Sequence, residues 1–242
     1  SNFSFLRGAS HPEELVQQAA ALGYRAMALT DACSLSGIVR AHSAAQACEL
    51  PLITGAEFQL EPDTRIVMHA MNRDGYAGLC RLITAARRAA EKGSYKLTAE
   101  MLEQHLRSGL LDDCTILWTP GQRFRLPSAL DFLPELAKGR LWIAAALFPD
   151  GLHQIRLKAL YALSAYYGLP LVATGDVHMH VRSRQRLHDT LTAIRLRQTV
   201  QTAGYALHAN AEKHLRRIEA LKRLYPESLL RETLCVAERC TF

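Results

Sequence analysis

Residues Leu169–Arg195 read LPLVATGDVHMHVRSRQRLHDTLTAIR, and the opening of this stretch decides the class of fold. Leu171–Thr174 is a short apolar run between Pro170 and Gly175, and its length and boundaries predict a buried strand. Just upstream, Ile155–Tyr167 carries apolar residues at helical spacing, and Gly168 is placed to end that helix. Asp176 and His178 follow immediately past the strand. A helix, a tight turn, a strand and then polar side chains at the strand's C-terminal end make a unit of a parallel α/β sheet or barrel. In such barrels the C-terminal strand ends share one face, and active sites are built there.

The same alternation runs outward through the chain. Arg25–Thr30 (RAMALT) reads as a strand, with Asp31 at its end and a helix from about Gly37 to Cys48. Leu52–Thr54 leads through Gly55-Ala56 to Glu57, in a strand continuing to Leu60, and Arg65–Met71 (RIVMHAM) is another. Asn72 opens a helix whose one face carries Tyr76, Leu79, Ile83 and Ala86. Thr98 to about His105 is a short helix; Cys114–Trp118 and Leu141–Leu147 are strands. At the N-terminus, Ser10 and Glu13 have capping-box spacing around Pro12. From about Ser183 the pattern is mostly helical, with Asn210 expected to cap one helix and Tyr225-Pro226-Glu227 parting it from a last one that stops near Cys240. Neither G-x-G-x-x-G nor G-x-x-x-x-G-K-[ST] occurs, so a distorted (β/α) barrel is expected over an open nucleotide-binding sheet.

Composition supports a packed core. Of 242 residues, 49% are hydrophobic, 21% charged and 7% aromatic, which excludes a disordered tail or a disulfide scaffold. The mean hydropathy is −0.05, and no apolar run approaches the ~20 residues of a membrane span. SNFSFLRGAS lacks the basic and apolar regions of a signal peptide and has no Met, so the chain is expected to be cut from something longer, or trimmed. The six cysteines are scattered without a C-x-x-C and read as reduced thiols in the cytoplasm. Net charge is +6, from 29 Lys+Arg against 23 Asp+Glu. That balance fits either an anionic partner such as nucleic acid or an ordinary basic protein. The basic residues gather loosely at Arg81, Arg87, Arg88 and Lys92, at Arg182, Arg184 and Arg186, and at Arg216, Arg217, Lys222 and Arg223.

Asp31, Glu57 and the Asp176/His178 pair all fall at or beyond predicted strand ends. Carboxylates and imidazoles converging on one face form the ligand set of a Zn²⁺, Mn²⁺ or Fe²⁺ site. Each also has a plainer reading. Asp31 can cap the turn that follows. Glu57, in an apolar strand, needs a partner that is either an Arg or a metal. Asp176/His178 can be a hydrogen-bonded loop, and His180 a fourth donor or a surface residue. His69 reads as a core or lid residue. His188 is placed to hydrogen-bond a loop, and His11, His42, His105, His153, His208 and His214 read as ordinary surface residues.

Several stretches together carry a family resemblance: SNFSFLRGASHPEELV, ALGYRAMALTDACSLSGIVRA, LPLITGAEF, MNRDGYAGLCRLIT and, above all, LPLVATGDVHMHVRSRQRLHDTLTAIR. The chain resembles the polymerase and histidinol phosphatase (PHP) domain at the N-terminus of bacterial DNA polymerase III alpha subunits. With NAEKHLRRIEALKRLYPESLLRETLCVAERCTF, its last part is most similar to the error-prone (ImuC) type. The resemblance covers essentially the whole chain, with a diverged middle from about Ser94 to Gly139.

The resemblance implies a distorted seven-stranded barrel over residues 1–182, its first strand truncated, with a metal site at one mouth. Residues 183–242 would form a helical segment leading into the polymerase thumb and palm. Of the family's ligand positions, Asp31, Glu57, Asp176 and His178 match. The opening H-x-H would lie before Ser1. Ala32 stands where many members have His, Arg65 where the family has a strand His, and Ala146 and Phe148 where a Glu and a His are usual. An Arg can put its own charge in place of a lost ion. The expectation is therefore a degenerate site, with Arg65 pairing Glu57 or Asp176, and no metal or one weakly bound Zn, Mn or Mg. The domain would then be a structural and interaction module of an error-prone DNA polymerase. Its partners would be the rest of that chain, primer-template DNA and, through the longer protein, a sliding clamp and mutagenesis-cassette proteins; no membrane is involved. The alternative is a working metal-dependent phosphoesterase or 3′–5′ proofreading exonuclease.

Overall fold

The computed structural model describes residues 1–61, 64–121 and 124–242. Six strands form one curled sheet, a half-barrel: β1 (Met27–Ala32), β2 (Leu52–Glu61), β3 (Thr64–Ala70), β4 (Cys114–Thr119), β5 (Leu141–Ala146) and β6 (Leu171–Thr174), in spatial order β1-β2-β3-β4-β5-β6. The helices are α1 (Pro12–Ala21), α2 (Ile38–Ala47), α3 (Arg73–Arg88), α4 (Ala99–Arg107), α5 (Leu133–Leu136), α6 (His153–Tyr167), α7 (Gln185–Leu196), α8 (Val200–Ala203), α9 (Ile218–Leu224) and α10 (Glu227–Arg239). A seventh strand is not seen among the described residues. None of these helices is long and apolar enough to cross a membrane.

The sheet is not all parallel, as the alternation of strand and helix suggested. β3 pairs antiparallel with both β2 and β4, while the other pairings are parallel. The reason is the short link from Glu61 to Thr64, since a parallel return needs a crossover of about a dozen residues. Reversal has a consequence for position. The first residues of β3 lie beside the last residues of its neighbours, with Arg65 opposite Gln59 on β2 and Thr119 on β4. A side chain at the start of β3 therefore reaches the same mouth as the ends of β1, β5 and β6.

Strand alternation divides the buried residues between two faces. Ile66, Met68, Ile116 and Trp118 join Phe58, Leu79, Leu82 and Leu102 in the main core, beneath the helices. On the other face Leu117, Trp142, Ala144 and Val172 pack against Val236 of α10. The Trp142 indole also donates to Glu232 Oε1 at 2.7 Å. A cavity of about 1130 Å³ runs along this concave face from α10 to the mouth. Close approach of α3 to the 110–113 segment requires glycine, because a Cβ at Gly78 would lie 1.9 Å from the Leu110 carbonyl oxygen.

Three local expectations are corrected. The first helix is capped one residue later than the sequence suggested, with the His11 backbone N–H donating to Glu14 Oε2 at 2.8 Å. Ser10 is instead 2.8 Å from His180 Nδ1 and accepts from the His180 N–H. Asn210 caps no helix; its Oδ1 accepts from the Glu212 N–H within an irregular segment ahead of α9. Asp31 sits inside β1 rather than past its end, whereas Glu57 lies within β2, in keeping with a strand continuing to Leu60. Both strands run further than their apolar cores because each has a partner to extend the ladder.

Candidate functional site

The mouth of the half-barrel is closed by ion pairs. Arg65, from the start of β3, donates from Nη1 to Glu57 Oε2 at 3.0 Å and to Asp176 Oδ1 at 3.2 Å, with Nη2 3.4 Å from Asp176 Oδ2. Lys213 Nζ lies 2.6 Å from the same Asp176 Oδ2. His178 Nε2 is 3.4 Å from Asp176 Oδ1. Asp176 follows β6 with φ +42°, a left-handed conformation that Asp tolerates better than most residues. That turn aims its carboxylate back at Arg65.

Lys213 was not among the residues singled out from the sequence. It lies in the irregular stretch before α9, where no periodicity marks a functional side chain. Backbone pairing brings it in: the His178 and Met179 N–H groups both donate to the Lys213 carbonyl, at 2.9 and 3.2 Å, and Met179 bridges His214. The side chains of Arg65 and Asp176 are 24% and 13% exposed, so the pairs are shielded from solvent but not sealed. Burial alone would raise the Asp176 carboxyl. The His178 hydrogen bond and the Lys213 and Arg65 charges outweigh it and hold that carboxyl well below the usual range. Burial likewise disfavours the Arg65 charge, and Asp176 and Glu57 more than restore it.

Asp31 is not part of this cluster. Its carboxylate, 1% exposed, accepts from the Ser1 backbone nitrogen, Ser1 Oγ and Ser4 Oγ, each at 2.7 Å. Ser4 Oγ also accepts from the Ala32 N–H at 3.0 Å. Ala146 lines the cavity. Phe148 offers its ring to two cations, Lys213 Nζ at 5.7 Å and the Arg216 guanidinium at 5.3 Å. His180 is turned away, held by Ser10. His69 is buried, 3.1 Å from Thr115 Oγ1, in keeping with a core residue.

The PHP domain family model matches residues 1–123. The chain belongs to the PHP domain family. It is 52% identical over 242 residues to an error-prone DNA polymerase of Methylococcus capsulatus, covering all of this chain and 23% of that protein. It is also 52% identical over 244 residues to an error-prone DNA polymerase of Dechloromonas aromatica, covering all of this chain and 24% of that one. The chain thus spans about a quarter of the length of these curated relatives. Among solved structures it is similar to a chain from Bifidobacterium adolescentis assigned as a metal-dependent phosphoesterase (TM-score 0.46, 17% identity, 71% of this chain and 84% of that one). An amidohydrolase from Chromobacterium violaceum scores the same 0.46 at 15% identity, with 71% and 84% coverage. These two likenesses are too distant to bear on chemistry.

A PHP metal centre needs carboxylates free to turn toward its ions. Here Glu57 and Asp176, two negative charges, are matched by Arg65 and Lys213, two positive ones, at contact distance. Asp31 accepts from the Ser1 and Ser4 hydroxyls. A dication entering this pocket would meet a guanidinium and an ammonium already in place, and each of those would have to be displaced and resolvated. As folded, the Asp31, Glu57 and Asp176 set does not fit a multi-ion centre.

Proposed function

We propose that this chain is the N-terminal PHP domain of an error-prone, DNA-directed DNA polymerase, acting as a structural and interaction module rather than as a hydrolase. The polymerase assignment is supported by relatives of that name that match along the whole chain at about half identity. The role of the domain is carried by one observation: Arg65 bridges Glu57 and Asp176, and Lys213 pairs the second oxygen of Asp176. A hydrolytic PHP site would use metal ions there to generate a nucleophilic hydroxide and bind a phosphate. Internal cations give neither. They neutralise the carboxylates and lock β2, β3, the β6 loop and the 210–215 segment together.

On this reading Asp31, Glu57, Asp176 and His178 are remnant ligand positions, with Ala32, Arg65, Ala146 and Phe148 at substituted ones, and any divalent ion is single and weakly held. The partners are the rest of the polymerase chain, primer-template DNA, and a sliding clamp and mutagenesis-cassette proteins reached through the longer protein, in the cytoplasm. Exposed Arg186, Arg195, Arg197, Arg217, Lys222 and Arg223 are among the side chains available to DNA phosphates. Much of the remaining basic charge is spent internally: Arg182 pairs Glu212, Arg184 pairs Glu14, and Arg87 donates to the Ala32 and Cys33 carbonyls.

The test is an assay of the purified chain on a 3′-labelled primer and on a chromogenic phosphomonoester, with Mn²⁺, Zn²⁺ or Mg²⁺ supplied. The expected rate is that of the buffer, unchanged by Asp176→Asn. Metal-dependent turnover abolished by Asp176→Asn would establish the phosphoesterase or exonuclease alternative instead.

A further inference from the structure

Three histidines from separate segments meet beside Asp176. His178 lies in the loop after β6, His188 in the first turn of α7, and His208 in the segment following α8. Each offers a ligand nitrogen, and these atoms all lie within 4.8 Å of one another. The His188 and His208 rings stack at 4.8 Å, and His178 stands edge-on to both, at 5.3 and 5.6 Å. We propose that His178, His188 and His208 form a binding site for a single imidazole-preferring dication, Zn²⁺ or Co²⁺, beside the carboxylate pocket rather than within it.

The hydrogen bonds point one nitrogen of His178 at the site. His178 Nδ1 is 3.1 Å from the Arg7 carbonyl oxygen, which can only accept, so Nδ1 keeps a proton and Nε2 is the ligand atom. Nε2 lies 3.4 Å from an oxygen of Asp176, a contact that is favourable only with a cation or a proton between them, and a bound ion would take the place of the proton shared there. His188 is 3% exposed. Its Nδ1 is buried with no hydrogen-bond partner among the described residues, and the Arg7 backbone engages this ring too. A buried nitrogen without a partner costs about 1–3 kcal/mol. Coordination would satisfy it, with Arg7 as the shared outer acceptor that fixes two ligand rings.

The donor set selects the class of ion. All three donors are imidazole nitrogens brought together from separate segments. Imidazole nitrogens suit Zn²⁺, Co²⁺, Ni²⁺ or Cu²⁺ and not Mg²⁺ or Mn²⁺. A tetrahedral ion with bonds of ~2.05 Å would set its ligands ~3.3 Å apart, so the triad must contract around it. His208, half-buried in an irregular segment, is the ring free to close. Three imidazoles leave a fourth position for water or for Asp176. The Lys213 ammonium, on the same Asp176 carboxylate, weakens the site.

The experiment is titration of the chelator-stripped chain with Zn²⁺ by calorimetry, and with Co²⁺ by visible absorption. Expected are one equivalent and tetrahedral Co²⁺ bands. His208→Gln and His188→Gln should each weaken binding at least ~10-fold, while Asp31→Asn and Glu57→Gln leave it within ~3-fold. Lys213→Met should tighten it. Because His188 is buried, its variant could fail to fold; the half-buried His208 then carries the test. Absence of saturable binding overturns the proposal. So does binding that Glu57→Gln or Asp31→Asn abolishes and His208→Gln does not touch, because the ion would then lie in the carboxylate pocket. That second outcome also counts against the module reading of the domain, whereas absence of binding leaves that reading intact.

Discussion

Replacing Arg65 by Met tests the closed mouth most directly. The substitution keeps the aliphatic stem and removes three polar contacts, at 3.0, 3.2 and 3.4 Å. At an effective dielectric of ~20, one charge pair at 3.2 Å is worth about 5 kcal/mol before desolvation. Desolvating the guanidinium and the carboxylates offsets most of that, and a side chain 24% exposed is partly screened. What remains is the cost of leaving Glu57 without its cation and Asp176 with Lys213 alone, about 2–3 kcal/mol. For a domain of this size the melting temperature should fall by about 5–10 °C. Urea and thermal unfolding of wild type, Arg65→Met, Glu57→Gln and the double variant form a cycle, and coupling of at least ~1 kcal/mol is expected. Stability of Arg65→Met within ~0.5 kcal/mol of wild type, with no coupling to Glu57, would refute the claim that Arg65 holds the mouth shut.

Other outcomes follow from single contacts. Gly78→Ala would force α3 away from the Leu110 carbonyl, 1.9 Å from the new Cβ; a loss of about 2–3 kcal/mol is expected in urea unfolding. Tyr225→Phe removes a hydroxyl that accepts from the Leu147 N–H at 2.9 Å and donates to the Thr174 carbonyl at 2.8 Å. It should cost about 2 kcal/mol by leaving a buried N–H unpaired, read as a drop in melting temperature. Burial pushes His69 down to about 4 from its ordinary 6.5. Between those values the unfolded chain binds the extra proton and the folded one does not, so this contribution is complete above pH ~6.5 and lost as pH falls toward ~4. The swing is at most about 3 kcal/mol, and His69→Gln should flatten that part of the stability–pH curve.

Much of the architecture could be read from the chain because its signals are local. Gly168 ends α6 with φ +64°, and Asn72 caps α3 by accepting from the Asp74 and Gly75 N–H groups. The six apolar runs became the six strands. Strand direction was harder to read, although the brevity of the Glu61–Thr64 link held the answer. At the site, Glu57, Asp176 and Arg65 were recognised as residues needing partners, and the structure brings them together. Lys213 and the His188–His208 stack could not be read, because their placement depends on the return of the 204–215 segment over the β6 loop. Nothing in the spacing of those residues encodes that contact. Asp31 was legible as a turn cap or a ligand position, but not as a carboxylate held by Ser1 and Ser4.

Charge balance links the two halves of the mouth. Inside it, Glu57 and Asp176 are matched by Arg65 and Lys213, so an added dication would leave a large uncompensated charge at low dielectric. On the other side of Asp176 stand three imidazole nitrogens. Asp176 serves both sides. An ion at the triad would draw its carboxylate and loosen the hold of Lys213, whose ammonium also faces the Phe148 ring at 5.7 Å. An ion at the triad would therefore be taken up only by weakening the ion pairs that close the mouth. Zn²⁺ should accordingly stabilise the wild-type chain less than it stabilises Lys213→Met, in which no ammonium is displaced. Equal rises in melting temperature at saturating Zn²⁺ would show that Asp176 is not shared.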